Sequence, residues 1–228
     1  MSVKQFNTNI VFNSRESKSK YVFDKYRSIL DQSVLDVGAD AMYLKPLILS
    51  NGAKYNGVGR GEGIDHDLDL EKTPFPFEND SFETVLCLDV LEHLESIHLV
   101  FDELCRISKK YVVVSLPNPL SDIFSVIRKK DYSSTQCLKF YGLPVDPPED
   151  RHRWFFTEKE ARAFVKERGH RNGFSTMQID AIGEHQKMGG NGLKGAVGRL
   201  LFKTIFRNDI DSLNLHHGTI WFVLEKNV

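Results

Sequence analysis

Residues 69–118 constrain the fold of this chain most tightly. A polar turn carrying Asp69, Glu71, Asn79 and Asp80 leads into the apolar run 83–89, which ends on Asp89. The run that follows repeats Ile97, Phe101, Leu104 and Ile107 on one helical face. A second apolar run, 111–116, is stopped by Pro117. Two buried strands joined through a helix make a parallel β-α-β crossover, because an antiparallel pair needs only a short hairpin. Polar residues at the ends of both runs then gather at the carboxyl edge of the sheet, where open α/β sheets hold ligands.

The flanking pattern extends this unit in both directions. Val22, Tyr26, Ile29 and Leu30 predict a helix within 17–31, laid on a sheet. Residues 33–38 read as a strand that ends in a turn at Gly38, 41–49 as a helix with Pro46 tolerated only near its first turn, and 55–58 as a second strand. No helix fits Gly59, Arg60, Gly61, Glu62 and Gly63, so the chain is expected to turn on glycines into an edge strand at 64–70. Beyond Pro119, 121–129 suits a short helix, and 131–150 a long loop of the lid or binding kind. Thr157 and Glu160 form a capping box that opens a helix over 158–168, with Gly169 as its stop. Residues 174–182 and 219–224 are the last two strands. The expected organisation is an N-terminal arm, 1–15, and one domain, 16–228. That domain carries a variable lid or substrate segment at about 120–150 and a glycine-rich insertion at about 186–207.

At 228 residues there is room for one sizeable α/β core, and two full domains would be cramped. A formal net charge of -1 supplies no global field for nucleic acid or an anionic membrane, so nucleic acid is not favoured as a partner. Cys87, Cys105 and Cys137 form no C-x-x-C pair, and Cys87 in a strand pattern and Cys105 in a helix pattern read as buried thiols of a reducing compartment. Residues 1–20 are polar and of mixed charge, with no secretory apolar segment, and no apolar run reaches the roughly 18 residues of a membrane span. The expected location is cytoplasmic. Oligomeric state is not legible.

The strand-turn-helix that opens with Asp36, Val37 and Gly38, the acidic turn Asp69-Leu70 before Pro74-Phe75, and the strand ending in Asp89 and followed by Leu91-Glu92-His93 resemble class I S-adenosylmethionine-dependent methyltransferases of the type 11 kind. The resemblance implies a Rossmann-like, doubly wound seven-stranded α/β sheet with helices on both faces. Its strand order would be 3-2-1-4-5-7-6, with the last strand antiparallel. It also implies S-adenosyl-L-methionine held by Asp36, Gly38, Ala39, Asp69, Leu70 and Asp89, with Asp69 meeting the adenine amino group and Leu70 packing on the ring. Three positions depart from the pattern. Asp40 and Met42 stand where the motif has its second and third glycines, and Gly59 stands where an acid usually takes the ribose hydroxyls, with Glu62 or Asp65 as substitutes.

Methyl transfer needs an in-line nucleophile, a dry pocket and sometimes a base. If a helix begins near Asp89, the spacing turns Asp89, Glu92 and His93 to neighbouring directions. His93, with Asp89, is the candidate base. Alternatively Asp89, Glu92, His93 and His152 hold a divalent metal, since D-x-x-E-H is similar to the E-x-x-E-H of ubiquinone-pathway and small-RNA 2′-O-methyltransferases. The third reading is structural, with Glu92 capping and His93 packing. Asn118 either orients a substrate or shapes a strand-end turn. The run 193–207 mixes Lys194, Arg199, Lys203 and Arg207 with leucines, suiting either a cover for the core or peripheral membrane contact. The expected activity is methyl transfer to oxygen or nitrogen of a small-molecule or glycan-like acceptor. The competing expectation is a methyltransferase-fold binding or partner protein that has lost its cofactor.

Overall fold

The computed structural model describes Phe6 and residues 12–61, 63–129, 140–183, 192–205, 214–215 and 217–227. Glu62, Cys137, most of the N-terminal arm and parts of the lid and glycine-rich segments lie outside them.

Seven strands form one sheet in the order β3-β2-β1-β4-β5-β7-β6. They are β1 (Ser33–Val37), β2 (Lys54–Gly59), β3 (His66–Asp67), β4 (Phe82–Leu88), β5 (Ser108–Leu116), β6 (Phe174–Ala181) and β7 (Ile220–Lys226). Only β7 runs against the rest, paired antiparallel to both β5 and β6. The helices are α1 (Arg15–Tyr26), α2 (Leu44–Ser50), α3 (Ile97–Ile107), α4 (Pro119–Lys129), α5 (Glu158–Arg171) and α6 (Leu193–Ile205). Two buried clusters sandwich the sheet. One joins α3 and α5 to its first face through residues such as Phe101, Val165 and Phe222. The other joins α1 and α2 to the opposite face through Tyr21, Ile48 and Trp221. No described helix is long and apolar enough to cross a membrane.

Local chemistry accounts for the element ends. Ser14 accepts from the Ser17 amide and Thr157 from the Glu160 amide, so α1 and α5 both begin in capping boxes. Arg106 of α3 donates to the carbonyls of Phe75 and Phe77, and Glu103 accepts from the Phe75 amide, which clamps the Pro74–Phe77 turn to the crossover helix.

Several expected boundaries change. The third strand shrinks to two residues after the glycine turn. The helix expected at 41–49 starts at Leu44, which leaves Pro46 in its first turn, where no amide partner is needed. Gly169 does not stop α5, which runs to Arg171 and is closed by Asn172. A Cβ on Gly169 would lie 2.4 Å from Leu224 Cδ2, so this glycine lets the helix approach β7. Within the N-terminal arm Phe6 is buried, exchanges two hydrogen bonds with the Gln178 side chain, and sets its ring edge-on to Tyr26.

Candidate active site

The loop after β1 keeps an unusual backbone. Gly38 sits at φ +80, and a Cβ there would meet Val90 Cγ2 at 2.3 Å, so this position admits only glycine. The amides of Gly38 and Ala39 both donate to the Val58 carbonyl, which ties the loop to β2. Asp40 and Met42 adopt φ +44 and +50. The left-handed path that glycines would supply without strain is therefore kept by residues that bear side chains. The Met42 side chain turns back onto the α1–α2 face of the sheet, where its Sδ lies 3.0 Å from the place a Gly57 Cβ would take. Asp40 is exposed and paired with Arg15 from the first turn of α1.

Asp36, at the end of β1, is buried and accepts from Tyr55 Oη at 2.8 Å. Burial pushes its carboxyl up to about 6, against the opposing pull of the Tyr55 hydrogen bond and the Lys18 charge. Gly59, at φ +153, occupies a conformation an acid would not take readily. Asp65 accepts from the Gly57 amide at 2.9 Å and pairs with Lys45, so it braces β2. Asp69 is half-exposed at its turn, with Arg60 Nη2 2.9 Å from its Oδ2 and its own Oδ1 accepting from the Glu71 amide. Leu70 packs against the first buried cluster. Glu71 holds this turn down. Its oxygens accept from Ser96 Oγ at 2.6 Å and from the Glu95 and Ser96 amides at 2.7 and 3.0 Å, beside the start of α3, and although burial raises its carboxyl these bonds, the hydroxyl first, keep it below the usual range.

The residues after β4 separate into two groups. Asp89 lies at φ +55, not on a helix, and the next turn is a one-turn 3-10 helix, Leu91–His93. The expectation that Asp89, Glu92 and His93 share a helical face is corrected here. Asp89 turns towards β5 and α1, where its carboxylate accepts from Ser115 Oγ and pairs with Lys18 Nζ at 2.5 Å. Glu92 and His93 turn the other way, towards the strap 150–154, whose Arg153 amide donates to the Glu92 carbonyl at 2.7 Å.

In that second group Glu92 Oε1 stands 3.8 Å from His93 Nε2 and 4.0 Å from His152 Nε2. One ligand atom from each of Glu92, His93 and His152 lies within 4.8 Å of the others, and Asp89 is outside this set. The Glu92 side chain is 1% exposed and its Oε2 has no hydrogen-bond partner. Burial first, and the Asp89 charge second, push its carboxyl well above the usual range. His93 Nδ1 lies 2.6 Å from Asp150 Oδ1. His152 Nδ1 contacts Tyr141 Oη at 2.6 Å, and its ring stacks on Phe140 at 4.2 Å. Burial, with His93 beside it, lowers His152 to about 4.

Asn118, past the tip of β5, donates to the carbonyls of Asn214 and His217 and so fixes the turn into β7. His217 in turn contacts Glu158 Oε2 at 2.7 Å. Lys18, Ser115, Glu71 and Tyr141 were not legible as site residues. Nothing in a single sequence marks a helix lysine that reaches a residue 71 positions away.

The strand order and the antiparallel last strand give the chain the Rossmann-like fold of class I methyltransferases. Residues 51–114 match the family model for a methyltransferase domain. No curated protein matches by sequence. Among solved structures, the chain is similar to the methyltransferase domain of bacterial CtHen1-C (16% identity, TM-score 0.60, covering 95% of this chain and 100% of that one). It is also similar to a SAM-dependent methyltransferase from Archaeoglobus fulgidus (16%, 0.57, 93% and 95%). A third is magnesium protoporphyrin IX methyltransferase from Synechocystis PCC 6803 with bound SAH (13%, 0.54, 93% and 83%).

Proposed function

We propose that this chain transfers a methyl group from S-adenosyl-L-methionine to oxygen or nitrogen of a small-molecule or glycan-like acceptor. The observation that carries this reading is the left-handed backbone at Asp40 and Met42, with Met42 housed over Gly57. The loop path that motif glycines would give is retained, which favours a working crevice over an inert descendant of the fold. The sulfonium supplies the methyl group. Gly38 and Ala39 leave the loop backbone close to the crevice, Asp69 offers an acceptor for an adenine amino group, and Leu70 an apolar wall for the ring. Asp36 and Asp89 complete the proposed cofactor set. His93 would take the acceptor's proton at Nε2, with Asp150 at Nδ1 fixing its tautomer.

Titration calorimetry with S-adenosylmethionine and its demethylated product tests the reading. Uptake of one equivalent is expected, with Asp69→Ala weakening it roughly tenfold, as the loss of one hydrogen bond to a charged group predicts. Absence of uptake at millimolar ligand would assign the chain to the binding-protein class instead.

The cluster of Glu92, His93 and His152 favours a second reading, in which these three side chains hold a divalent cation beside the acceptor. A buried carboxylate, with one oxygen lacking a hydrogen-bond partner and the other 3.8 and 4.0 Å from two imidazole nitrogens, matches the donor set of manganese, magnesium or zinc sites. Added metal at about a hundred times its dissociation constant should stabilise the fold by about 2.7 kcal/mol, and Glu92→Gln should abolish that gain. Turnover that survives exhaustive chelation but is lost in His93→Ala would leave His93 as the base alone.

A further inference from the structure

The helix α6 faces the wrong way for a core helix. It lies in the connection from β6 to β7. The last residue of β6, Ala181, pairs with Ile220, the first of β7, and Ile220 also pairs with Leu116 at the end of β5. The connection therefore leaves and returns at the carboxyl edge of the sheet, on the side where the crevice opens. Leu193, Val197, Leu200 and Leu201 fall within an arc of roughly 100° at helical spacing. They are 84%, 50%, 67% and 59% exposed. Gly195, on the opposite face, is buried, and the aliphatic arc points outwards. A second segment at this edge behaves alike. In the segment that leads into the strap 150–154, Leu143 and Val145 are 97% and 101% exposed.

Charge indicates what covers this face. Helix α6 itself carries Lys194, Arg199 and Lys203 and no Asp or Glu, in a chain whose net charge is -1. A second copy of the chain is a poor occupant, since a two-fold interface would bring the two basic segments together. An anionic bilayer suits both properties. It takes an aliphatic arc into the headgroup boundary without needing a matching groove, and it attracts the flanking cations. We infer that α6 is an interfacial anchor that docks the carboxyl edge of the sheet onto an anionic lipid surface. This goes beyond the proposed methyl transfer and does not depend on it.

The test is sedimentation of the full chain with vesicles of phosphatidylcholine alone and with about a third phosphatidylglycerol. Binding to the anionic vesicles is expected to be at least about tenfold tighter than to the neutral ones and to fall with added salt. The pair Leu200→Glu and Leu201→Glu should weaken it by about tenfold or more. Because both side chains are exposed, that variant should keep its melting temperature and cofactor uptake. Failure of the unaltered chain to pellet with anionic vesicles would overturn the inference, as would equal pelleting of the double variant. Self-association in sedimentation velocity that the same pair abolishes, without vesicle binding, would overturn it too and assign the face to a second copy.

Discussion

Lys25→Met should lower the unfolding free energy by about 3–5 kcal/mol, the range seen when one partner of a buried ion pair is removed. Lys25 Nζ lies 2.7 Å from Asp180 Oδ1, with side-chain exposures of 0% and 8%. The ammonium also donates to Tyr21 Oη at 3.0 Å and lies 5.2–5.5 Å from the ring centroids of Tyr21, Tyr26 and Trp221. The methionine fills much of the same volume but leaves Asp180 as an uncompensated charge inside the second cluster. The compensated variant Lys25→Met with Asp180→Leu should recover most of the loss, because the cost comes from desolvating an unpaired ion and not from losing an attraction. Chemical denaturation of the four proteins in the cycle measures this directly. If the single and double variants are equally unstable, packing of the lysine stem matters more than its charge. The pair also bears on the site. It holds α1 to β6, and α1 carries Arg15 and Lys18 to Asp40 and Asp89.

The crossover was legible because it rests on local periodicity, with the apolar stretches 85–88 and 111–116 on either side of an amphipathic helix, whereas the strand order came from the family resemblance. The seven-stranded sheet with its antiparallel last strand agrees with what the family resemblance implied. Side-chain direction was much less legible. Reading Asp40 and Met42 as lost glycines treats a backbone requirement as a matter of residue identity. The structure meets that requirement by left-handed residues and by removing a side chain from Gly57 on the neighbouring strand. Helical spacing grouped Asp89 with Glu92 and His93, but the positive φ at Asp89 and the short 3-10 turn send it towards Lys18. The Glu92–His93–His152 cluster was visible only through resemblance, since the strap that brings His152 over Glu92 has no periodic signal. In α6, the mixed pattern left a core cover and a surface contact both open, and only the exposure of Leu193, Val197, Leu200 and Leu201 separates them.

Asp36→Asn should stabilise the protein at about pH 7.5 and have little effect near pH 4, with a gain on the order of 3 kcal/mol. The sign follows from the direction of the shift. Burial raises the Asp36 carboxyl from 3.8 to about 6, so the folded state prefers the protonated form. Stability associated with this group is fully present below its unfolded value and is lost as pH rises through about 6. Asparagine removes the charge while its amide oxygen can still accept from Tyr55 Oη, so the hydrogen bond at 2.8 Å is kept and the desolvation cost is not. Melting temperatures measured from about pH 4 to 8 for both proteins should diverge only across that window, at roughly 2–4 °C per kcal/mol for a chain of this size. A carboxylate retained at such a cost in a crevice wall is what a binding site would demand, so cofactor affinity should fall in the same variant. A stabilised variant that takes up S-adenosylmethionine as tightly as before would remove Asp36 from the cofactor set and leave it as a partner of Tyr55 alone. A variant with no gain at neutral pH would mean that Lys18 and Tyr55 together already offset the burial of the charge.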